Sequence, residues 1–130
     1  MSDITLAGSP SNLWGQKVTI PSGSAQSEMI NTSGMALVGV VMPDAWDPAD
    51  LGYKAGYDAD PNNLSIAYSA AGVAYTTAVD ASRFIAFPIA DAIFAPNLQI
   101  TSVAAGGQST TPANQSAARE IILIFRRLFS

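Results

Sequence analysis

The chain has 130 residues, no cysteine, no histidine, 12% charged residues and a formal net charge of −4. That length suits one domain able to bury roughly two thirds of its unfolded surface. The missing thiols and imidazoles exclude disulfides, the usual zinc, copper and iron sites, and Ser-His-Asp or Cys-His catalysis, while the acidic balance argues against a general nucleic-acid binder.

The charged fraction of 12% is half the ~25% of an average soluble domain, and the apolar fraction of 48% is ordinary. A polar remainder of Ser, Thr, Asn, Gln and Gly fits a surface largely covered by neighbouring molecules. The longest apolar run, residues 35–42, is far short of the ~20 residues of a membrane-spanning helix. The opening MSDITLAGSP lacks the basic and apolar regions of a secretory signal. The expectation is a protein made and assembled in a cytoplasm, with no membrane partner.

Residues 1–16 are rich in Ser, Gly, Asn and Pro, with Trp14 as the one bulky anchor and Leu13 beside it. They read as an extended N-terminal arm that docks on a neighbouring chain. A domain of residues 17–130 follows. KVTIPSG is a short strand stopped by Pro21 and Gly23, SEMIN is another, and NTSG is a turn by composition. GMALVGVVM, residues 34–42, is a strand ended by Pro43. Period-two alternation puts Met35, Leu37, Gly39 and Val41 on one face and Ala36, Val38, Val40 and Met42 on the other. Both faces are apolar or small, which raises the question of what covers the second one.

PDAWDPAD is a loop, and LGYKAGY alternates as a half-buried strand with Leu51, Tyr53, Ala55 and Tyr57 on one side. DADPNN is a turn cluster, and LSIAY alternates with Leu64, Ile66 and Tyr68 inward. VAYTTAV, SRFIAF and LQITSV are further strands. PIADAIFAP reads as one helical turn or irregular chain, and AAGGQSTTPANQSAA as a long polar loop. At the end, Ala, Arg and Glu favour a helix over residues 113–129, but Ile-Ile-Leu-Ile-Phe at 121–125 is a β-rich run of strand length, and a strand is the reading taken. Many short strands separated by Gly/Pro turns predict an all-β protein, an antiparallel β-sandwich or jelly roll.

The order of IPSG, GMALVGVVMPDAW, LGYKAGYDAD, DASRFIAF, LQITS and TPANQSAAREIILIFRR resembles small jelly-roll virion structural proteins of tailed bacteriophages, over residues 18–127. The LVGVVMPDAW block, the turn at 58–63 and the PANQSAARE loop carry it best; all are packing and turn elements. The chain departs from the commoner pattern at DADPNN, where a DG-type hairpin is usual. The resemblance implies a virion role on the capsid surface: a cement or decoration protein, often trimeric, bound to the major capsid protein. Proteins of similar size act as head–tail connectors or tail components.

Asp44, Asp47, Asp50, Asp58 and Asp60 are oxygen ligands of the kind calcium takes, but without EF-hand spacing they read as ordinary loop residues. No paired-carboxylate motif points to a glycosidase, and no enzyme or cofactor is expected. Trp14, Trp46, Tyr53, Tyr57, Tyr68 and Tyr75 offer the alternative of a carbohydrate-binding module for host-surface attachment. The acids of residues 44–60 and the bases Arg119, Arg126 and Arg127 form two patches that a head-to-tail or cyclic homo-oligomer would bring together; the resemblance favours a trimer. The expected interface comprises Leu13, Trp14, Met35, Leu37, Val41, Asp44, Trp46, Asp47, Arg119, Arg126 and Arg127.

Overall fold

The computed structural model describes residues 3–5, 13–32, 35–87 and 96–127. The strands are β1 (Asp3–Thr5), β2 (Leu13–Ile20), β3 (Gln26–Asn31), β4 (Met35–Val41), β5 (Asp50–Gly56), β6 (Ser65–Ile66), β7 (Thr76–Ala78), β8 (Phe84–Ala86), β9 (Asn97–Val103) and β10 (Arg119–Arg127). A single 3₁₀ turn at Pro61–Asn63 is the only helical element among the described residues. One five-stranded sheet, sheet A, has the order β1-β2-β10-β4-β8; the other, sheet B, has β3-β9-β5-β6, with β7 also paired to β5. Every pairing is antiparallel. The protein is therefore a β-sandwich. From β2 to β5 each strand crosses to the opposite sheet, and β8, β9 and β10 do so again.

The core lies between the sheets. Val18 and Ile20 of β2, Leu37 and Val40 of β4, and Ile121, Leu123 and Phe125 of β10 face Ile30, Leu51, Tyr53, Leu98 and Ile100 of sheet B, all with at most 4% of their surface exposed. The apolar run at 121–125 is the central strand of sheet A, paired with β2 on one side and β4 on the other. Such a strand makes both ladders at once, so β-branched residues there fill the packed layer as well as the sheet.

Four expectations are corrected. The boundary after Gln16 cuts through β2: Leu13 to Gln16 pair with Arg126 to Leu123, and Asp3 to Thr5 pair with Gln16 to Trp14. These segments of the expected arm thus belong to the sheet of their own chain; residues 1, 2 and 6–12 lie outside the described residues, as do 33–34 of NTSG and 88–95 of the ambiguous PIADAIFAP segment. Second, β4 does not alternate evenly. Ile124 faces Gly39 and Phe125 faces Leu37, which leaves Val38 as a β-bulge. The extra residue swaps the faces, so Leu37, Val40 and Met42 all enter the core. The bulged carbonyl of Val38 is satisfied, accepting the Phe87 N–H at 2.9 Å. Third, Ile66 and Tyr68 point outward, 37% and 53% exposed, and only Ser65–Ile66 of their segment is strand. Fourth, Tyr57 lies past the end of β5 and is 78% exposed.

The second face of β4 has a partial cover from its own chain. Gly39 and Val41 point away from the core beside Ile124 and Ile122. A Cβ added at Gly39 would lie 3.2 Å from Cζ of Phe84 and 3.0 Å from the Ile85 carbonyl. A larger residue there would press on the Phe84 ring and the Ile85 carbonyl, which glycine leaves room for. The ring itself remains 64% exposed.

Candidate functional site

Three turns of the chain meet at one corner of the sandwich. Asp47 comes from the loop after β4, Ser22 and Gly23 from the IPSG turn, and Gln115, Ser116 and Arg119 from the PANQSAARE segment. Gln115 is fully buried. Its Oε1 accepts the Asp47 N–H at 2.9 Å and the Arg119 Nε–H at 3.2 Å. Its Nε2 donates to Ser102 Oγ at 3.0 Å and to the Asp47 carbonyl at 3.3 Å. Its backbone N–H donates to the Ser24 carbonyl at 2.9 Å, and its carbonyl accepts the Gly23 N–H at 2.7 Å. A buried amide with all its groups engaged avoids the desolvation cost that an unpaired one would carry.

Asp47 completes the corner. Its Oδ2 accepts the Ser116 N–H at 2.7 Å, and its Oδ1 accepts the Ser116 hydroxyl at 3.1 Å and the Arg119 guanidinium at 2.9 Å. The hydrogen bonds from Ser116, reinforced by the Arg119 charge, hold the Asp47 carboxyl below its ordinary pKa. Ser22 Oγ donates to the Ser116 carbonyl at 3.1 Å. Trp46 fixes the same loop from inside, with its ring in the core and its Nε1–H donating to the Ala49 carbonyl at 3.1 Å.

This arrangement revises the expected interface. Leu37 and Trp46 are 1% and 9% exposed, so both belong to the core and offer a partner almost no surface. Asp47 and Arg119 do attract each other, but within one chain, where their charges are already matched. Asp44 accepts a hydrogen bond from the Ser82 hydroxyl at 3.4 Å. Trp14, expected on a neighbour, packs in its own chain with the Arg127 guanidinium 4.4 Å above its ring. Together with Met35 and Phe125 they line a hollow of about 150 Å³, in which the Trp14 Nε1–H is buried without an acceptor. Leu13 is half-buried opposite the exposed Arg126, and Val41 is half-buried on the outer face of sheet A.

The remaining aspartates also have local employment. Asp58 Oδ1 accepts the Asp60 N–H at 2.9 Å, its Oδ2 accepts the Asn63 side-chain amide at 2.9 Å, and Asp60 caps the 3₁₀ turn through the Asn62 N–H at 3.0 Å. The DADPNN departure is thus a capped turn, with Pro61 at its first position. The Asn97 side-chain amide donates to the Asp58 carbonyl and ties this turn to the start of β9. Tyr53, inward on β5, bonds the Thr77 hydroxyl at 2.7 Å, and burial pushes its phenol well above the ordinary value. No group of three or more acidic side chains is gathered for a metal among the described residues.

Gln115 is the residue that sequence reasoning missed. Nothing in a polar loop distinguishes a buried amide from a solvated one, and its partners come from three separate segments. Comparison with protein-family models, with curated proteins and with solved structures returned no match.

Proposed function

We propose that this protein is a virion structural protein of a tailed bacteriophage, a cement or decoration protein that binds the outer capsid surface and bridges neighbouring capsomers. The observation that carries the reading is the outer face of sheet A. Phe84 is 64% exposed there, beside Val41 and Ile122, which are half-buried. A contiguous apolar strip on a sheet that already has a core on its other side marks a contact surface. Two further features support it. The strand order β2-β10-β4-β8 facing β3-β9-β5-β6 supports reading the sandwich as a jelly roll, an architecture used by capsid and lectin domains. The three turns stitched together around Gln115 by hydrogen bonds suit a mechanical role.

In this reading a trimer or a capsomer covers the strip, and many weak symmetric contacts add up. Phe84→Glu and Val41→Glu keep the core intact and place a charge on the strip. The wild-type protein is expected to co-sediment with capsids prepared without it and to scatter light as an oligomer. Both variants are expected to remain folded and stay in the supernatant. Wild-type protein that neither sediments with capsids nor self-associates would overturn the proposal, and copy number per virion separates the lattice role from that of a connector or tail component.

A further inference from the structure

A cleft opens on the outer face of sheet B, on the opposite side of the molecule from the Phe84 strip. Asp50 leaves β5 on this face, and Thr76 and Ala78 of β7 pair with Gly52 and Asp50 beside it. Ser69, Val73 and Tyr75 form one wall, and Gly106, Gly107 and Gln108 the other. The space between them measures about 570 Å³, within the ~300–1,000 Å³ typical of small-molecule sites.

The loop wall is held in place. The Gly107 N–H donates to Asp50 Oδ2 at 3.1 Å and the Gln108 N–H to Thr76 Oγ1 at 2.8 Å. Gly106, Gly107 and Gln108 all have positive φ, and Gln108 at +62° is not a glycine. A non-glycine residue held in the left-handed region costs free energy, and such residues cluster at ligand clamps. Asp50 is only 6% exposed. It lines the cleft while its Oδ2 accepts the Gly107 N–H. A nearly buried carboxylate thus stands in the wall of the cleft, and a carboxylate has lone pairs beyond the one that a single donor uses.

The chemistry of the walls selects the ligand. Among the described residues no Lys or Arg lines the cleft, and the one charged group an anion would meet is the Asp50 carboxylate. A metal ion would find a single acidic side chain. A hydroxyl-rich neutral molecule is matched: Asp50 accepts from a hydroxyl, the Gln108 amide donates and accepts, Ser69 and Thr76 hydroxyls donate, and Tyr75 and Val73 give a face for C–H groups. We propose that this cleft binds a neutral saccharide, a function separate from the capsid contact and on another face.

The probes are immobilised neutral oligosaccharides (maltotetraose, cellotetraose, chitotetraose) and sialylated and sulfated glycans, followed by calorimetry with the best ligand. Ala78 lines the cleft with an exposed side chain, so Ala78→Trp fills the space without entering the core. Gln108→Ala removes the amide and serves as the second variant. The expected result is binding of a neutral glycan that weakens about tenfold or more in both variants, with an unchanged melting temperature. No bound glycan, binding of acidic glycans alone, or wild-type affinity in a folded Ala78→Trp protein would each overturn the proposal. Capsid binding by the same variants is expected to be unaffected, so failure here and failure of the capsid reading are distinguishable.

Discussion

The corner around Gln115 and the hairpin of residues 64–78 are both built from short, Gly/Ser-rich turns, yet they invert the usual rule of burial. At the corner a glutamine is fully buried, while in the hairpin Tyr68 stands 53% exposed and Ile66 and Val73 each 37%. The difference lies in what each segment meets. At the corner the loops carrying Ser24 and Asp47 and the strand carrying Ser102 close around Gln115, and every polar group of Gln115 finds a partner. The hairpin lies at the rim of sheet B, held by short ladders of β6 and β7 on β5, and no further strand of the described residues pairs outside it. Cover decides burial; residue type decides only the cost of lacking it.

That contrast breaks most visibly at Trp46. Trp46→Ala empties part of the core and leaves the Ala49 carbonyl without its donor, so a loss of about 3–5 kcal/mol is expected by chemical denaturation. Gln115→Ala comes next. It strands the Asp47 N–H, the Ser102 hydroxyl and part of the Arg119 guanidinium in a buried site, and about 2–3 kcal/mol should be lost. A cost no greater than that of an exposed substitution would mean that water already serves those groups.

Asp47→Asn sharpens the comparison through pH. The folded carboxyl has a lowered pKa, so its stabilisation is fully present above the ordinary carboxylate value near 3.8 and fades as pH falls through the lower folded value. Wild-type melting temperature should therefore drop on acidification over that window, and the variant should follow a flatter curve from a lower starting point. Parallel curves would remove Asp47 as the acid-sensitive group. The smallest effect belongs to the hairpin: Tyr68→Thr should change stability by no more than about 0.5 kcal/mol. A larger loss would show that the tyrosine packs on something in solution.

Much of the sandwich was legible because strands of strong β-propensity end at proline or glycine. Residues 121–125 carry five apolar residues that suit a strand paired on both sides, and β4, β5 and β9 fall within a residue or so of the runs that announce them. The bulge at Val38 was not legible, because in a uniformly apolar run one skipped residue leaves no trace in the pattern. Nor was the orientation of Leu64, Ile66 and Tyr68: alternation tells which side chains share a face and is silent on which face gains a cover. Leu13 to Gln16 lack apolar periodicity and owe their strand to the partner β10. The Asp47–Arg119 pair joins residues 72 apart, and a charge pattern cannot say whether two patches meet in one chain or across two.

The placement of β10 has a consequence for how the molecule comes into being. The strand sits between β2 and β4, although both precede it by most of the chain. Until residues 119–127 emerge from a ribosome, β2 and β4 have facing unpaired edges, and the core lacks Ile121, Leu123 and Phe125. Sheet A therefore closes last, through contacts far apart along the chain, which makes for slow folding. Unpaired strand edges of that kind are open to pairing with any extended segment of the right apolar alternation.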